Sequence, residues 1–136
     1  MNKQNELNIT GAIRFDGAYW RPIDADGFYM VSTDGRIWSV ERRQYLKPLN
    51  YHGRNENYRY VKLSVEGKRK NLAIHRLVAF AFLNNPEGLP QVNHKDENSL
   101  NNDVSNLEWI TQGDNIRYGT RTQRMSRTCK LKALNR

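Results

Sequence analysis

Apolar and polar positions alternate from Tyr58 to Val65, with Val61, Leu63 and Val65 on one face and Tyr60, Lys62 and Ser64 on the other. That period predicts a strand with one buried face. Glu66-Gly67-Lys68 then turns the chain into a second strand near Lys70 to Ile74. The period changes at this point. Ile74, Leu77, Val78, Ala81 and Phe82 form a single stripe at helical spacing, and Asn84-Asn85-Pro86-Glu87-Gly88 ends it. Gln91 to Lys95 and Leu107 to Ile110 read as two short strands around Asp96 to Ser105, a stretch of Asp, Asn and Ser with loop chemistry. Thr111 follows as an N-cap with Asp114 at the third helical position, predicting a helix over Gln112 to Tyr118 that stops near Gly119.

Upstream, Tyr19 to Val40 reads as short strands. Phe28 to Val31 and Arg36 to Val40 flank the turn Ser32-Thr33-Asp34-Gly35, which predicts a hairpin. Residues 1–18 are weakly patterned and read as a loose arm, and 50–57 as a polar loop. No internal repeat is visible. The fold class expected is α+β: a β-rich module over 19–70, a strand–loop–strand–helix unit within 71–119, and a basic tail over 120–136, helical or disordered until it meets a partner.

Charge sharpens this picture. The 136 residues carry net charge +8, unevenly placed. Residues 36–76 hold 11 basic and 3 acidic side chains, 77–116 hold 1 and 6, and 117–136 hold 7 and 0. Two basic blocks flank an acidic one, an arrangement suited to a polyanion gripped on either side of a cation-assisted reaction. Cys129 is the one cysteine, so an internal disulfide and a cysteine-based zinc cluster are excluded. Lacking an apolar leader or a run of about 18 apolar residues, the chain is expected to be cytoplasmic, with no membrane partner.

The strand–loop–strand–helix segment is a small ββα unit. It holds His94 at the end of its first strand, Asn106 just before its second and Asn115 one turn into its helix, at spacings of 12 and 9. Such a unit brings a strand-borne imidazole and a helix-borne amide oxygen into one site. The string HRLVAFAFLNNPEGLPQVNHKDENSLNNDVSNLEWITQGDNIRYG, residues 75–119, resembles the HNH endonucleases of phages and mobile introns. Residues 20–39, WRPIDADGFYMVSTDGRIWS, resemble the NUMOD4-like DNA-contacting module often found ahead of that domain, and the two together span about 100 residues.

The resemblance implies a metal-dependent DNA endonuclease that hydrolyses phosphodiester bonds in the cytoplasm of a phage-infected bacterial host. His94 would be the general base, a role that suits an imidazole neutral near pH 7. Asn106 would accept from its other ring nitrogen. Asn115 and Asn93 would ligate one divalent ion, Mg²⁺ with Mn²⁺ as substitute and not zinc, through their side-chain oxygens. Asn93 departs from the Asp or His often found there, and two neutral amides hold Mg²⁺ weakly without DNA. Asp96, two residues past His94 and on its side of an extended chain, is the candidate that adds a carboxylate. His75, opening the amphipathic helix, reads as a structural residue or a phosphate contact.

Double-stranded DNA is the partner implied. Arg42, Arg43, Lys47, Arg54, Arg59, Lys62, Lys68, Arg69 and Lys70 lie mostly on strands and turns and suit a β-ribbon along a groove. The polar face of Tyr58 to Val65 would read bases. Arg117, Arg121, Arg124 and Arg127 in the tail would clamp phosphates, so affinity should fall steeply with salt. Trp20, Trp38 and Trp109 read as core. The alternative class is a DNA-binding or regulatory module that kept the fold without the cleavage. Monomer and homodimer are both open.

Overall fold

A computed structural model of the chain describes residues 3–24, 26–52 and 57–116. The class is α+β, as the patterning predicts. Strands β1 (Ile13–Phe15), β2 (Ala18–Pro22), β3 (Tyr29–Ser32), β4 (Ile37–Ser39) and β5 (Gln44–Tyr45) form an antiparallel meander in chain order. Next, β6 (Leu49–His52), β7 (Asn57–Val65) and β8 (Lys68–Ala73) form a three-stranded sheet. Helix α1 (Ile74–Phe82) follows β8 directly. The strand pair β9 (Gln91–His94) and β10 (Leu107–Ile110) and helix α2 (Gln112–Ile116) complete the described fold, with a 3-10 turn at Val104–Asn106 leading into β10.

Each sheet is too small to bury a core of its own, because a few short strands present only a handful of apolar side chains on one face. Helix α1 solves this by lying where all three meet. Its Ile74, Val78, Ala79 and Phe82 share one buried cluster with Val31 and Ile37 of the meander, Val61 and Leu63 of β7, and Val92, Leu107 and Trp109 of the β9–β10 pair. The core therefore runs straight across residue 70, which falls inside β8, so the two modules expected there share one interior. Trp20 and Trp109 are buried as expected. Trp38 is only half-buried and packs edge-on against Tyr45 at 4.9 Å.

Two expectations need correction. The described part of the loose arm is strapped onto the core: Asn5 N donates to Asn84 O (2.8 Å), Asn8 N to Phe82 O (2.7 Å) and Asn84 N to Glu6 O (3.0 Å). Asn5 also pairs through both ends of its side chain with the backbone of Trp109, at 2.7 and 3.0 Å. Backbone groups and polar side chains make this strap, so no apolar periodicity announces it. Residues 50–52, expected to open the polar loop of 50–57, lie with Leu49 in strand β6, paired with β7 in the register Leu49↔Tyr60 to His52↔Asn57. Pairing to a neighbour satisfies their backbone groups whatever their side chains.

Candidate active site

The β9–β10 register sets His94 opposite Leu107, Asn93 opposite Glu108 and Val92 opposite Trp109. Successive residues point to opposite faces of a strand. Val92, His94, Leu107 and Trp109 thus face α1, while Asn93 and Glu108 face the other way. Helix α2 packs on β9. Its start is capped as expected, with Asp114 N donating to Thr111 Oγ1 at 3.0 Å.

The loop between the strands is densely hydrogen-bonded within itself. Asp96, Asn98, Asn101 and Asp103 each accept through a side-chain oxygen from the backbone N–H two residues on, at 2.8, 3.0, 3.4 and 3.0 Å. These are Asx turns in succession, which replace a backbone ladder with side-chain acceptors. Asn106 laces the loop together. Its Oδ1 accepts from Asp96 N (2.9 Å) and its Nδ2 donates to Asp96 Oδ1 (2.8 Å) and Asn101 O (2.9 Å).

This geometry corrects two assignments. Asn106 spends its amide on the loop and does not hold the His94 ring. That partner is Asn102, whose Oδ1 lies 2.8 Å from His94 Nε2. Asp96 has one oxygen engaged by Asn98 N and Asn106 and the other by Asn101 Nδ2 at 2.8 Å, so it anchors the loop and adds no carboxylate to the Asn93 face. Strand alternation cannot carry Asp96 to a chosen side, because β9 ends at His94.

Asn102 is 6% exposed and is fixed from behind by the β3–β4 turn. Val104 N donates to Thr33 O at 2.7 Å. Gly35 sits so close that a Cβ there would lie 2.9 Å from Asn102 Cβ. Arg36 clamps that turn through Asp34 (2.9 Å) and Asp16 (2.6 Å). The N-terminal meander thus props the residue that holds His94.

Rings lead from the three-stranded sheet to the site. Tyr51 stacks on Tyr58 at 4.8 Å, Tyr58 meets His75 edge-on at 5.9 Å, and His75 lies 5.0 Å from His94. Burial, helped by the neighbouring His94 and Arg76 charges, pushes the His75 pKa down to about 3. His75 is therefore neutral at physiological pH. Its Nδ1 is buried without a hydrogen-bond partner. Burial also lowers the His94 pKa, partly offset by the hydrogen bond to Asn102 and the Asp96 charge, so His94 is neutral near pH 7.

Among the described residues no cluster of three or more His, Cys, Asp or Glu exists. The expected ligands Asn93 and Asn115 offer amide oxygens, and water and phosphate would complete such a shell. Asn115 Oδ1 is buried and has no hydrogen-bond partner. Such an acceptor costs free energy unless a donor or cation reaches it, so its chemistry fits a cation. Asn93, 6% exposed, donates its Nδ2 to Glu108 Oε1 at 3.0 Å.

Known proteins share this architecture. The chain is 36% identical over 111 residues, 81% of its length, to the uncharacterized HNH endonuclease L245 of Acanthamoeba polyphaga mimivirus. It is 36% identical over 98 residues, 71% of its length, to the DNA endonuclease I-HmuI of Bacillus phage SP01. The solved HNH homing endonuclease I-HmuI superposes with a TM-score of 0.62 at 32% identity, over 79% of this chain and 66% of that one. The chain belongs to the HNH endonucleases of phage type. It spans 32% of the mimivirus protein and 55% of the phage SP01 protein. No family model matches it.

Around the HNH unit, the cations expected to hold DNA occupy several elements. Lys62 and Arg69 project from the face of the three-stranded sheet turned away from Val61 and Leu63, whereas Lys68 and Lys70 share the other face along edge strand β8. Arg59 is half-buried on β7, with its Nε buried and without a hydrogen-bond partner. Arg42 and Arg43 are exposed between β4 and β5, and Lys47 just past β5. Arg54, Arg117, Arg121, Arg124 and Arg127 lie outside the described residues. Sequence reasoning missed Asn102, one of several Asn residues in a polar loop. Only its burial and its ring contact single it out.

Proposed function

We propose that this chain hydrolyses phosphodiester bonds in double-stranded DNA, with His94 as general base. The observation that carries this reading is the His94–Asn102 hydrogen bond. An amide oxygen only accepts, so Nε2 carries the proton and Nδ1 keeps its lone pair. His94 Nδ1 takes a proton from water as the water oxygen bonds to phosphorus and the bond to the 3′ oxygen breaks. The proton then passes from the imidazolium to solvent, and the departing 3′ oxygen takes a proton from solvent. Asn93 and Asn115 would hold one divalent cation, Mg²⁺ with Mn²⁺ as substitute. When bound, it supplies Lewis-acid stabilisation of charge on the phosphate and the leaving oxygen. The exposed cations of the three-stranded sheet and the meander grip the phosphates, which positions the duplex without reading sequence.

The test is supercoiled plasmid incubated with wild type and His94→Ala in Mg²⁺, Mn²⁺ or EDTA. Open-circle or linear product that requires metal and disappears in the variant is expected. One observation favours a second reading: the two residues that would ligate the metal are neutral amides. A wild type that cuts none of several DNAs, while still binding them salt-sensitively, would make the chain a noncatalytic DNA-binding module on the same fold.

A further inference from the structure

We propose that Glu108 is the anionic member of the divalent-cation site, acting through the side-chain amide of Asn93. The inference rests on the cation site proposed above. Asn93 and Glu108 stand directly opposite each other in the β9–β10 ladder, on the same face. Asn93 Nδ2 donates to Glu108 Oε1 at 3.0 Å. A carboxylate offers only acceptors, so the amide must turn its NH₂ toward Glu108 and its Oδ1 away. That leaves Asn93 presenting its oxygen away from Glu108; α2, which packs on β9, carries Asn115, whose Oδ1 is buried without a donor.

Charge explains why the pair exists. The residues of the two strands on this face are Gln91, Asn93, Glu108 and Ile110, so Glu108 is the carboxylate of the ladder there. Asp96 spends its charge on the loop. An Asp at position 93 would set two carboxylates against each other across the ladder, which is destabilising. With Asn93 in place, Glu108 polarises the amide so that its oxygen carries more negative charge, and the pair offers a cation one unit of negative charge through a neutral ligand. The departure at Asn93 and the carboxylate at Glu108 are then one device.

The experiment is Mn²⁺ titration of the full chain followed by electron paramagnetic resonance, with thermal unfolding recorded for each variant. Glu108→Gln keeps an acceptor for Asn93 and removes the charge. Its Mn²⁺ affinity should fall about tenfold. Asn93→Asp combined with Glu108→Gln moves the charge onto the ligand itself and should restore affinity. Glu41→Gln, exposed on the meander, should change nothing. Unaltered Mn²⁺ affinity in Glu108→Gln overturns the proposal. So does a loss that the double variant fails to repair, since Glu108 would then serve only the ladder. A wild type that binds no Mn²⁺, or an Asn115→Ala variant that binds it undiminished, removes the cation site itself. Either outcome is distinct from a selective failure at Glu108.

Discussion

Replacing Asn102 with Asp changes one atom's charge at nearly constant shape, 2.8 Å from His94 Nε2. At an effective dielectric of about 20, a unit charge at that separation favours the imidazolium by up to about 6 kcal/mol. Burying a carboxylate at a position only 6% exposed takes back part of this. The net expected is a rise of about 1 to 3 pH units in the pKa of His94, as for other imidazoles beside a carboxylate. The wild-type pKa lies below 6.5, because burial outweighs the raising effects of Asn102 and Asp96. A general base works only when unprotonated. The acid limb of the pH–rate profile should therefore move up, with nicking at pH 6 reduced about tenfold or more and recovery toward pH 9. The assay is the initial rate of plasmid nicking from pH 5 to pH 9, with thermal unfolding and DNA affinity measured alongside. A profile superimposable on wild type, in a variant that folds and binds DNA, would refute either the Asn102 contact or the role of His94 as base.

Gly35→Ala should cost about 1–2 kcal/mol for a left-handed backbone with φ +87°. It should also lower the nicking rate by pushing against Asn102. Gly17→Ala is the control, with φ +77° and nothing within 4 Å of the added Cβ. It should show the stability loss in urea unfolding without the loss of rate, and equal rates in the two variants would remove the buttress. His75, with its pKa pushed to about 3 from 6.5, stays neutral in the fold but protonates in the unfolded chain. Stability is then undiminished above pH 6.5 and falls by about 1.4 kcal/mol per pH unit between 6.5 and about 3. Urea unfolding at pH 7 and pH 5 should show a loss of about 2 kcal/mol from this group, shrinking in His75→Gln. His94, shifted in the same direction, adds to the slope.

Patterning that depends on near neighbours proved legible. The helical stripe from Ile74 to Phe82, the alternation of β7, the β3–β4 turn and the Thr111 cap all follow from spacings of two to four residues. The pairing of β9 with β10 around a polar loop was legible too, and so was the end of the first strand at His94. What misled was reasoning from one position to a partner. Asn106 and Asn102 are the same residue type in the same loop, and nothing local says which amide meets the ring. Asp96 sits at the spacing that shares a face on a strand, yet the strand stops two residues before it.

By itself, the chain's sequence determined the elements, their order, the basic and acidic blocks and a ββα unit carrying His94 and Asn115, because propensity, period and capping act over one or two turns of chain. The tertiary structure decided the rest. It joined three small sheets around α1 into one core, strapped residues 5–8 onto the chain at and just past the C-terminal end of α1, and turned Asn102 rather than Asn106 toward His94. It also set Glu108 against Asn93 and seated Gly35 behind Asn102. Most of these contacts join residues far apart in the chain, and each is selected by burial and by the need to satisfy polar groups removed from water. Neither cause acts until the whole chain is packed.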